Sequence, residues 1–245
     1  MPTLFVVMPA FNEPATLGEC VRRVLSVQLA APWIIHIVLV DDGSEAQTAR
    51  AAEALAKEFP TVLTLLRHSI NRGKGAALQT GFAHAIEASQ CELDAIIIQD
   101  ADLEYDPHDF VNLLAVFESS GTTNAVFGNR WHRGIVQSGF RGWIHMRANR
   151  LLTSASNLAT GLKVHDMECC YKLIRIPTLR MILPSLTEQR FGIEPQIAAA
   201  LAQIGATVCE IPVSYEPRSF QSGKKIGPID GIRAIWVIIQ SKLRM

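Results

Sequence analysis

The chain has 245 residues, a formal net charge of zero and 49% hydrophobic residues. This length fits one α/β domain, or one domain with a modest appendage, and the composition excludes a disordered chain. The sequence contains neither an apolar run of the ~18 residues that a membrane-spanning helix needs nor the basic and apolar segments of a signal peptide. We therefore expect a cytoplasmic protein, which would meet a membrane only peripherally, at its cytoplasmic face.

The five cysteines form no disulfide framework. Their number is odd, no C-x-x-C spacing occurs, and two of them are adjacent in the chain: Cys20, Cys91, Cys169, Cys170 and Cys209. This usage is typical of a protein in a reducing compartment.

The charges are distributed unevenly between the two halves of the chain. Residues 1–129 hold 7 Lys and Arg against 16 Asp and Glu, whereas residues 130–245 hold 16 against 7. The stretch from Arg130 to Lys163 contains six basic residues and no acidic one. This asymmetry favours a first half that holds a cation and a second half that meets anions, although solvated surface charge would give the same counts. We expect no nucleic-acid partner.

The first half alternates predicted strands with predicted helices. The strands are short, apolar and rich in β-branched residues: Leu4–Met8, Ile34–Val40, Val62–Leu66, Ala95–Gln99 and Ala125–Gly128. Helical spacing occupies the segments between them: Pro14–Gln28, Ala46–Phe59, Lys74–Ala88 and Pro107–Glu118. This order predicts an α/β fold with a doubly wound, mainly parallel sheet flanked by helices.

The second half is less regular and contains no convincing linker, so we expect one domain over 1–245. Its predicted elements are one or two helices over Phe140–Thr160, a strand over Met167–Ile174, a helix over Gly192–Ile204, a strand over Ala206–Val213 and a helix over Ile229–Leu243. The last helix carries Ile235, Trp236 and Ile239 together with Arg233. Such a helix either lies on an anionic membrane surface or packs against the sheet, and the sequence favours neither.

Polar residues follow each of the first four predicted strands. They are Asn12 and Glu13 after the first, Asp41 and Asp42 after the second, His68 and Asn71 after the third, and Asp100 and Asp102 after the fourth. Because the carboxyl ends of parallel strands meet at one edge of a sheet, and ligands bind there, we expect these side chains to converge on one site.

The acidic segment Asp100–Glu104 carries the sharpest chemical signal. Its three acids alternate along the chain, so Asp102 and Glu104 point the same way if the backbone stays extended. Carboxylate oxygens on a loop suit Mg²⁺ or Mn²⁺, with other coordination positions left for phosphate and water. The alternative is an acidic start to the next helix, where Asp106 and Asp109 interact favourably with the helix dipole.

Two further segments have weaker signals. The adjacent acids of Asp41–Ser44 are suited to a nucleotide base and ribose hydroxyls, but they are equally suited to capping the next helix. The glycine-rich Asn71–Gly75 opens a helix and either approaches phosphate or needs glycine for close packing. It matches neither the P-loop nor the G-x-G-x-x-G pattern.

Taken together, four segments resemble the GT-A domain of family 2 glycosyltransferases. Pro9–Glu13 is similar to its P-x-x-N-E opening, Val40–Ser44 to V-D-D-G-S, Asn71–Gly75 to N-x-G-x-G and Asp100–Glu104 to the D-A-D metal motif. They occur in that family's order, each at the end of a predicted strand. The resemblance implies a GT-A fold, here with an acceptor-side helical and C-terminal extension.

Within the family, the second half resembles the dolichyl- and polyprenyl-phosphate mannose synthases and their bacterial relatives. Gly128–Arg130 is similar to a G-x-R motif, Arg150–Ser154 to R-x-x-x-S and Asp166–Lys172 to a D-M-E-T-C-Y-K variant. Arg218 and Lys224 fall where those enzymes carry R-x-x-G-x-S-K. Many of the bacterial relatives also carry C-terminal spanning helices.

The resemblance implies a role for each matching residue. The implied donor-binding residues are Pro9, Glu13, Asp41, Asp42, Lys74, Asp100, Ala101, Arg218 and Lys224. Asp102 and Glu104 would hold Mg²⁺ or Mn²⁺, while Asp100, Asp102 and Arg130 would serve catalysis. Arg130, Arg150 and Ser154 would bind the phosphate of a polyprenyl phosphate acceptor, which receives a hexose from a GDP-mannose or UDP-glucose type of donor with inversion. A homo-oligomer or a membrane partner is compatible with this interpretation.

Three residues depart from the mannose synthase pattern. Glu104 stands where those enzymes usually have Gln, Gly223 replaces the serine of their closing loop, and Glu168 belongs to a segment that replaces D-x-x-S-G-F. These departures leave open which metal is bound, how the closing loop binds phosphate and which sugar is transferred.

Two other functions remain open from the sequence. A glycosyltransferase with a hydroxyl acceptor, such as a saccharide or a small metabolite, would need a general base, and Glu194 at the start of a predicted helix is the candidate. A nucleotide-binding module without transferase activity is also possible, because doubly wound folds alone do not specify function. The intact acids Asp100, Asp102 and Glu104 argue against it.

Overall fold

The computed structural model describes residues 1–131, 140–217 and 228–244, and the side chains among them except those of 140–145, 228–230, 232 and 241–244. Its seven strands form one sheet in the order β3-β2-β1-β4-β6-β5-β7, in chain numbering. Strands from both halves of the sequence therefore belong to the same sheet.

The first four strands form its parallel part. They are β1 (Thr3–Ala10), β2 (Ile34–Asp41), β3 (Leu63–Arg67) and β4 (Ala95–Ile98). β1 pairs with β2 and β4, and β2 pairs with β3, all in parallel. β4 is buried along its whole length, as expected of a strand covered by helices on both faces. The predicted positions of these strands are confirmed to within a few residues.

The other three strands are β5 (Ala125–Asn129), β6 (Lys172–Arg175) and β7 (Val208–Pro212). β6 lies between β4 and β5 and is antiparallel to both, while β5 and β7 are parallel. Because β6 runs in the opposite direction, its first residue, Lys172, lies at the edge where the parallel strands end.

The predicted strand over Met167–Ile174 is wrong in its first part, because strand pairing begins only at Lys172. Tyr171 O still accepts from Gly128 N of β5 at 2.8 Å, but backbone N–H groups earlier in the segment donate to side chains. Met167 N donates to Thr153 Oγ1 at 3.2 Å, and Cys170 N donates to the Tyr105 hydroxyl at 3.0 Å. The apolar pattern of this segment reflects burial in a loop.

Eight α-helices flank the sheet in the described part of the chain: α1 (Leu17–Ser26), α2 (Ala46–Glu58), α3 (Lys74–Ala88), α4 (Phe110–Ser119), α5 (Phe140–Thr160), α6 (Ile176–Ile182), α7 (Ile193–Gln203) and α8 (Pro228–Arg244). Short 3₁₀ turns occupy Pro107–Asp109 and Leu183–Ser185. The sequence did not predict α6, whose seven residues are too few to show a helical period.

The C-terminal helix α8 has two apolar faces. Ala234, Val237 and Ile238 are buried, and α8 packs against α5 and α7. Ile235 and Trp236, by contrast, are 47% and 51% exposed. α8 thus packs on the protein along one side and presents a second apolar side outward. No helix in the described part of the chain is long and apolar enough to cross a membrane.

Candidate active site

A cleft of about 440 Å³ lies at the edge where the parallel strands end. Most of the residues predicted to bind the donor or the metal line it: Pro9, Glu13, Asp42, Lys74, Asp100, Ala101, Asp102 and Glu104. Arg130, predicted for catalysis and for the acceptor phosphate, lines it as well. The candidate base Glu194 lines it too. These residues come from loops after β1, β2, β4 and β5 and from the starts of α3 and α7. Of the strand-end residues expected to converge, Glu13, Asp42, Asn71, Asp100 and Asp102 line the cleft, whereas Asn12, Asp41 and His68 do not.

The loop after β1 forms one end of the cleft. Asn12 holds this loop to the next one, because its Oδ1 accepts from Glu45 N at 2.8 Å and its own N donates to Ser44 Oγ at 3.1 Å. Asn12 has a left-handed backbone with φ 52°, which asparagine tolerates better than most residues. The turn leaves Pro9 and Glu13 facing the cleft.

Asp42 lines the cleft, and its carboxylate also holds the neighbouring loop in place. It accepts from Arg72 N at 2.9 Å and Gly73 N at 2.8 Å, and His68 Nδ1 lies 2.6 Å from Oδ1. The side chain is almost fully buried. Two amides at the start of α3 are thereby occupied by a protein carboxylate, which limits what remains for a phosphate.

The glycines of this loop are required for packing. A Cβ on Gly75 would lie 2.1 Å from Glu188 O, and one on Gly73, where φ is +94°, would lie 2.5 Å from Gln189 O. Ala76 N also donates to Gln189 O at 3.0 Å. Of the two explanations for the glycine-rich start of α3, the structure thus gives direct support to close backbone packing.

Asp41, predicted to bind the donor, does not line the cleft. Its side chain is completely buried, accepts from Ser44 N at 3.0 Å and pairs with Arg67 Nε at 3.0 Å. These contacts stabilise the turn after β2. Of the two adjacent acids, only Asp42 faces the candidate site.

Lys74 bridges two acids inside the cleft. Its ammonium lies 2.9 Å from Asp100 and 2.8 Å from Glu194 Oε1. Burial disfavours the ammonium charge, but Asp100 and Glu194 together hold the pKa of Lys74 well above its ordinary value. The bridge fixes the Asp100 side chain and keeps Glu194 Oε1 engaged with a cation.

Asp102 and Glu104 both line the cleft, but the chain between them is not extended as expected. Leu103 adopts a left-handed conformation with φ 63°, and Asp102 Oδ1 accepts from Glu104 N at 3.1 Å. This conformation is uncommon for leucine and costs on the order of 1 kcal/mol. Tyr215 donates to Glu104 Oε2 at 2.8 Å and so orients that carboxylate.

Within the described residues, no three His, Cys, Asp or Glu side chains cluster closely enough to hold a metal by themselves. Two carboxylates nevertheless suit a hard cation such as Mg²⁺, which commonly takes one or two protein ligands and completes its shell with water and substrate phosphate. The oxygen chemistry of Asp102 and Glu104 fits such a cation.

Arg130 lines the cleft and is buried against Asp166. Its Nε and one terminal nitrogen each donate to the Asp166 carboxylate at 2.7 Å, and the Arg130 backbone N donates to it at 3.0 Å. Burial opposes the guanidinium charge, but Asp166 raises the pKa of Arg130 well above its ordinary value. The guanidinium also stacks 5.1 Å from the Trp131 ring and 5.2 Å from the Tyr215 ring.

The other predicted acceptor residues lie in a second pocket, which we call the basic groove. It is lined by Asn129, Trp131, Arg150, Thr153, Ser154, Asn157, Leu162, Lys163, Val164 and His165. The predicted grouping of Arg130 with Arg150 and Ser154 is therefore not observed. Arg130 faces the cleft, whereas its chain neighbours on both sides line the groove. Arg218 and Lys224 lie outside the described residues.

Several cleft residues were not predicted as site residues. Glu168 and Cys170 come from the loop before β6, Arg190 and Phe191 precede α7, and Tyr215 follows β7. The D-M-E-C-C-Y-K motif could have pointed to Glu168 as a site residue. The sequence did not predict that the strand following it, β6, is antiparallel and brings Glu168 to the cleft. Glu168 Oε1 and Glu194 Oε2 are buried atoms with no hydrogen-bond partner among the described residues.

This fold and cleft define an α/β protein whose candidate site, at the strand ends, is lined by acidic residues. A family model described as glycosyl transferase family 2 matches residues 5–182, so the chain belongs to glycosyl transferase family 2. The predicted family and the GT-A fold are confirmed.

Relatives with known names share most of this chain. An undecaprenyl-phosphate 4-deoxy-4-formamido-L-arabinose transferase from Pseudomonas aeruginosa is 30% identical over 220 residues, which cover 89% of this chain and 59% of the relative. A dolichyl-phosphate beta-glucosyltransferase from Trichomonas vaginalis is 27% identical over 86% of this chain and 65% of its own length. The chain thus spans about three fifths of the length of these relatives.

Solved structures share the fold at lower identity. A glucosyl-3-phosphoglycerate synthase from Mycobacterium tuberculosis, in complex with Mn²⁺, UDP and glucosyl-3-phosphoglycerate, has a TM-score of 0.65. It is 15% identical, with 98% of this chain and 80% of that chain covered. This likeness establishes the fold and nothing finer.

Proposed function

We propose that the protein is an inverting glycosyltransferase that moves a hexose from a GDP-mannose or UDP-glucose type of donor to a polyprenyl phosphate. The observation that carries this proposal is the convergence of Asp42, Asp100, Asp102 and Glu104 in one cleft at the strand ends. The names of the Pseudomonas and Trichomonas relatives support a polyprenyl phosphate acceptor.

The order of the strands suggests how the donor lies. Pro9, Glu13 and Asp42 follow β1 and β2, Asp100 and Asp102 follow β4, and Glu168 and Arg130 lie towards β6 and β5. We assign the nucleotide to the first group, the diphosphate to the second and the transferred sugar to the third. In this proposal, 1–129 is the donor half and 130–245 the acceptor half of one domain.

Asp102 and Glu104 are the proposed ligands of Mg²⁺ or Mn²⁺. When bound, the cation would offset the negative charge that develops on the departing diphosphate. The Mn²⁺ of the Mycobacterium synthase supports a divalent cation in this fold. The protein's own contribution is orientation: the hydroxyl of Tyr215 holds Glu104, and Lys74 holds Asp100.

The acceptor phosphate needs no catalytic base, because a phosphate monoester is already ionised near neutral pH. Its oxygen forms the new bond to the anomeric carbon as the bond to the donor diphosphate breaks, and attack from the opposite face inverts that centre. Arg150 and Ser154 in the basic groove would bind the incoming phosphate, with Arg130 forming the wall between the groove and the cleft. Arg218 and Lys224 remain proposed donor-binding residues.

A hydroxyl acceptor would require Glu194 as a base. Glu194 is 3% exposed, and one of its oxygens is 2.8 Å from the Lys74 ammonium. The names of the Pseudomonas and Trichomonas relatives favour the phosphate acceptor over this alternative.

The outward apolar side of α8 supports a peripheral position on an anionic membrane. Ile235, Trp236 and Ile239 are about half exposed, and Arg233 lies on the same helix. Because Arg233 is itself paired with Glu188 at 2.7 Å, the indole ring and the apolar side chains are the groups that favour the bilayer interface. Flotation of the full chain and of Trp236→Ala with anionic vesicles tests this: equal flotation of both, or of neither, would argue against α8 as the contact.

The decisive experiment is transfer of radiolabelled sugar from a panel of UDP- and GDP-sugars to polyprenyl phosphate, with Mg²⁺ or Mn²⁺ added. We expect label in the organic-soluble lipid with one donor, and none when a polyprenol without phosphate replaces the acceptor or when EDTA is present. The anomeric configuration of the product tests inversion. Donor turnover that never labels the lipid, but labels a saccharide, would replace this proposal with the hydroxyl acceptor.

A further inference from the structure

The loop before β6 holds Glu168 from both sides. The Lys172 ammonium donates to the carbonyl oxygens of the residues immediately before and after Glu168, the first at 2.9 Å. Cys170 N donates to the Tyr105 hydroxyl, and Asp166 is paired with the buried Arg130 guanidinium. A side chain carried by such a fixed loop is positioned before any ligand binds, as recognition groups must be.

The Glu168 carboxyl has an unused hydrogen-bonding atom inside the cleft. Its Oε1 is buried without a partner among the described residues, and so is Oε2 of Glu194 across the cleft wall. Buried polar atoms in folded proteins are nearly always hydrogen-bonded, and leaving one unpaired is costly. Two such atoms lining one cleft indicate a ligand that supplies hydroxyl or amine groups.

The position of Glu168 indicates which part of the ligand it contacts. It lies at the start of β6, beyond Asp100 and away from the loop after β1. We propose that Glu168 is a specificity-determining residue that makes a direct hydrogen bond through Oε1 to a hydroxyl group of the transferred sugar. This inference rests on the proposed function and identifies the residue that reads the sugar.

The charged groups around Glu168 favour its neutral form. Burial raises the pKa of Glu168 to about 7, and the negative charge of Glu194 adds to the rise, as Asp166 does more weakly. Lys172 and Arg130 act in the opposite direction. Near pH 7 the protonated and ionised forms are therefore both populated, and the protonated form can donate to a sugar oxygen while either form accepts from a sugar hydroxyl.

The test compares the effect of removing the Glu168 side chain with the effect of removing single hydroxyl groups from the sugar. The probes are the nucleotide-sugar that wild type turns over, its monodeoxy analogues and the free nucleoside diphosphate. We expect Glu168→Ala to lower kcat/KM for the parent donor by about 10- to 100-fold. With wild type, one monodeoxy donor should show a comparable loss of kcat/KM relative to the parent donor. With Glu168→Ala, the kcat/KM values of these two donors should differ by less than about threefold, because the substitution and the missing hydroxyl remove the same hydrogen bond.

Controls separate recognition from folding. Affinity for the free nucleoside diphosphate should stay within about twofold, and Glu87→Ala, an exposed glutamate on α3, should change nothing. If Glu168→Ala discriminates every monodeoxy donor as strongly as wild type, the inference is wrong while the transferase function stands. If wild type turns over no nucleotide-sugar, the proposed function itself fails.

A second variant, Glu168→Gln, tests the burial of this group. An unfolded glutamate loses its proton near 4.5 and folded Glu168 near 7, so between these values the folded state binds the extra proton and loses stability as pH rises. The neutral Glu168→Gln avoids this loss. Its Tm should exceed that of wild type by roughly 7–14 °C at pH 8, with most of the difference gone at pH 5. A pH-independent difference would contradict the buried position of the carboxyl on which the inference rests. Because glutamine keeps an oxygen and an amide that can bind the same sugar hydroxyl, Glu168→Leu replaces Glu168→Ala in the deoxy-donor comparison if the alanine variant does not fold.

Discussion

The cleft and the basic groove lie on opposite sides of the short segment 129–131, and they differ in how their charges are held. In the cleft, Lys74 and Arg130 are buried against acids within 2.9 Å. In the groove, Arg150 and Lys163 are exposed on a helix and a loop. One site is rigidly preorganised by the fold, and the other presents unburied cations to solvent.

This difference matches the demands of the two proposed ligands. Charge develops on the donor diphosphate during the reaction, and fixed, desolvated groups stabilise developing charge best. The acceptor phosphate arrives already charged and must only be captured and aimed, which exposed basic side chains can do. The comparison therefore predicts large effects of substitutions in the cleft and small ones in the groove.

The largest effect is expected from Asp102→Ala in the cleft. Removing a proposed metal ligand should lower sugar transfer by at least about 10³-fold at saturating Mn²⁺, because a bound cation contributes several kcal/mol of charge stabilisation. Initial rates of lipid labelling over a Mn²⁺ titration measure the change.

Asp106→Ala is the matched control, since Asp106 lies four residues further on, is exposed, contacts His108 and does not line the cleft. Its activity should equal that of wild type. Transfer by Asp102→Ala at an unchanged rate and with unchanged metal dependence would show that Asp102 is not a ligand.

Asp166→Ala should have the next largest effect, because it removes the partner that holds the wall between cleft and groove. It leaves the buried Arg130 charge uncompensated, which typically costs about 3–5 kcal/mol of folding free energy. Urea denaturation at pH 7 measures this loss.

Glu58→Ala breaks a comparable two-contact pair with Arg22 on the surface, at 2.8 and 3.2 Å, and should cost less than about 1 kcal/mol. If both variants lost the same stability, the Arg130–Asp166 pair would not be the buried wall described.

The parallel part of the fold was predictable because burial on both sides leaves a continuous apolar signature in each strand. β1 to β5 and α3 follow their predicted segments closely. The insertion of β6 between β4 and β5 was not predictable, since four residues carry no information about their direction or their neighbours. The loop before β6 was apolar enough to be taken for strand.

The difference between the parallel strands and the antiparallel β6 also explains which site residues were predictable. Asp42, Asp100 and Asp102 were predicted to converge because the carboxyl ends of parallel strands share one edge. Glu168 reaches that edge from the beginning of an antiparallel strand, to which this rule does not apply. Asp41 satisfied the rule by position, but its side chain alternates away from the cleft and pairs with Arg67.

The separation of Arg130 from Arg150 and Ser154 has a related cause. Arg130 was matched with Arg150 and Ser154 by motif order, but adjacent residues at the end of β5 face different pockets. A motif fixes residue types and spacing, whereas the side of the strand on which each residue emerges depends on register. The Arg130–Asp166 pair could not be inferred from two residues 36 positions apart.

The smallest effect is expected from Arg150→Ala in the basic groove, and it is the sharpest test of the comparison. Removing one of several exposed cations should raise KM for polyprenyl phosphate by about tenfold, in line with a single charge-assisted hydrogen bond, and leave kcat and donor KM within about twofold. Raising the salt concentration should weaken wild type more than the variant, because exposed charges are screened. Arg180→Ala, an exposed arginine on α6 that lines neither pocket, is the matched control and should retain wild-type kinetics. If Arg150→Ala instead lowered kcat as strongly as Asp102→Ala, the groove would be part of the reacting centre, and the distinction between a preorganised cleft and a capturing groove would be lost.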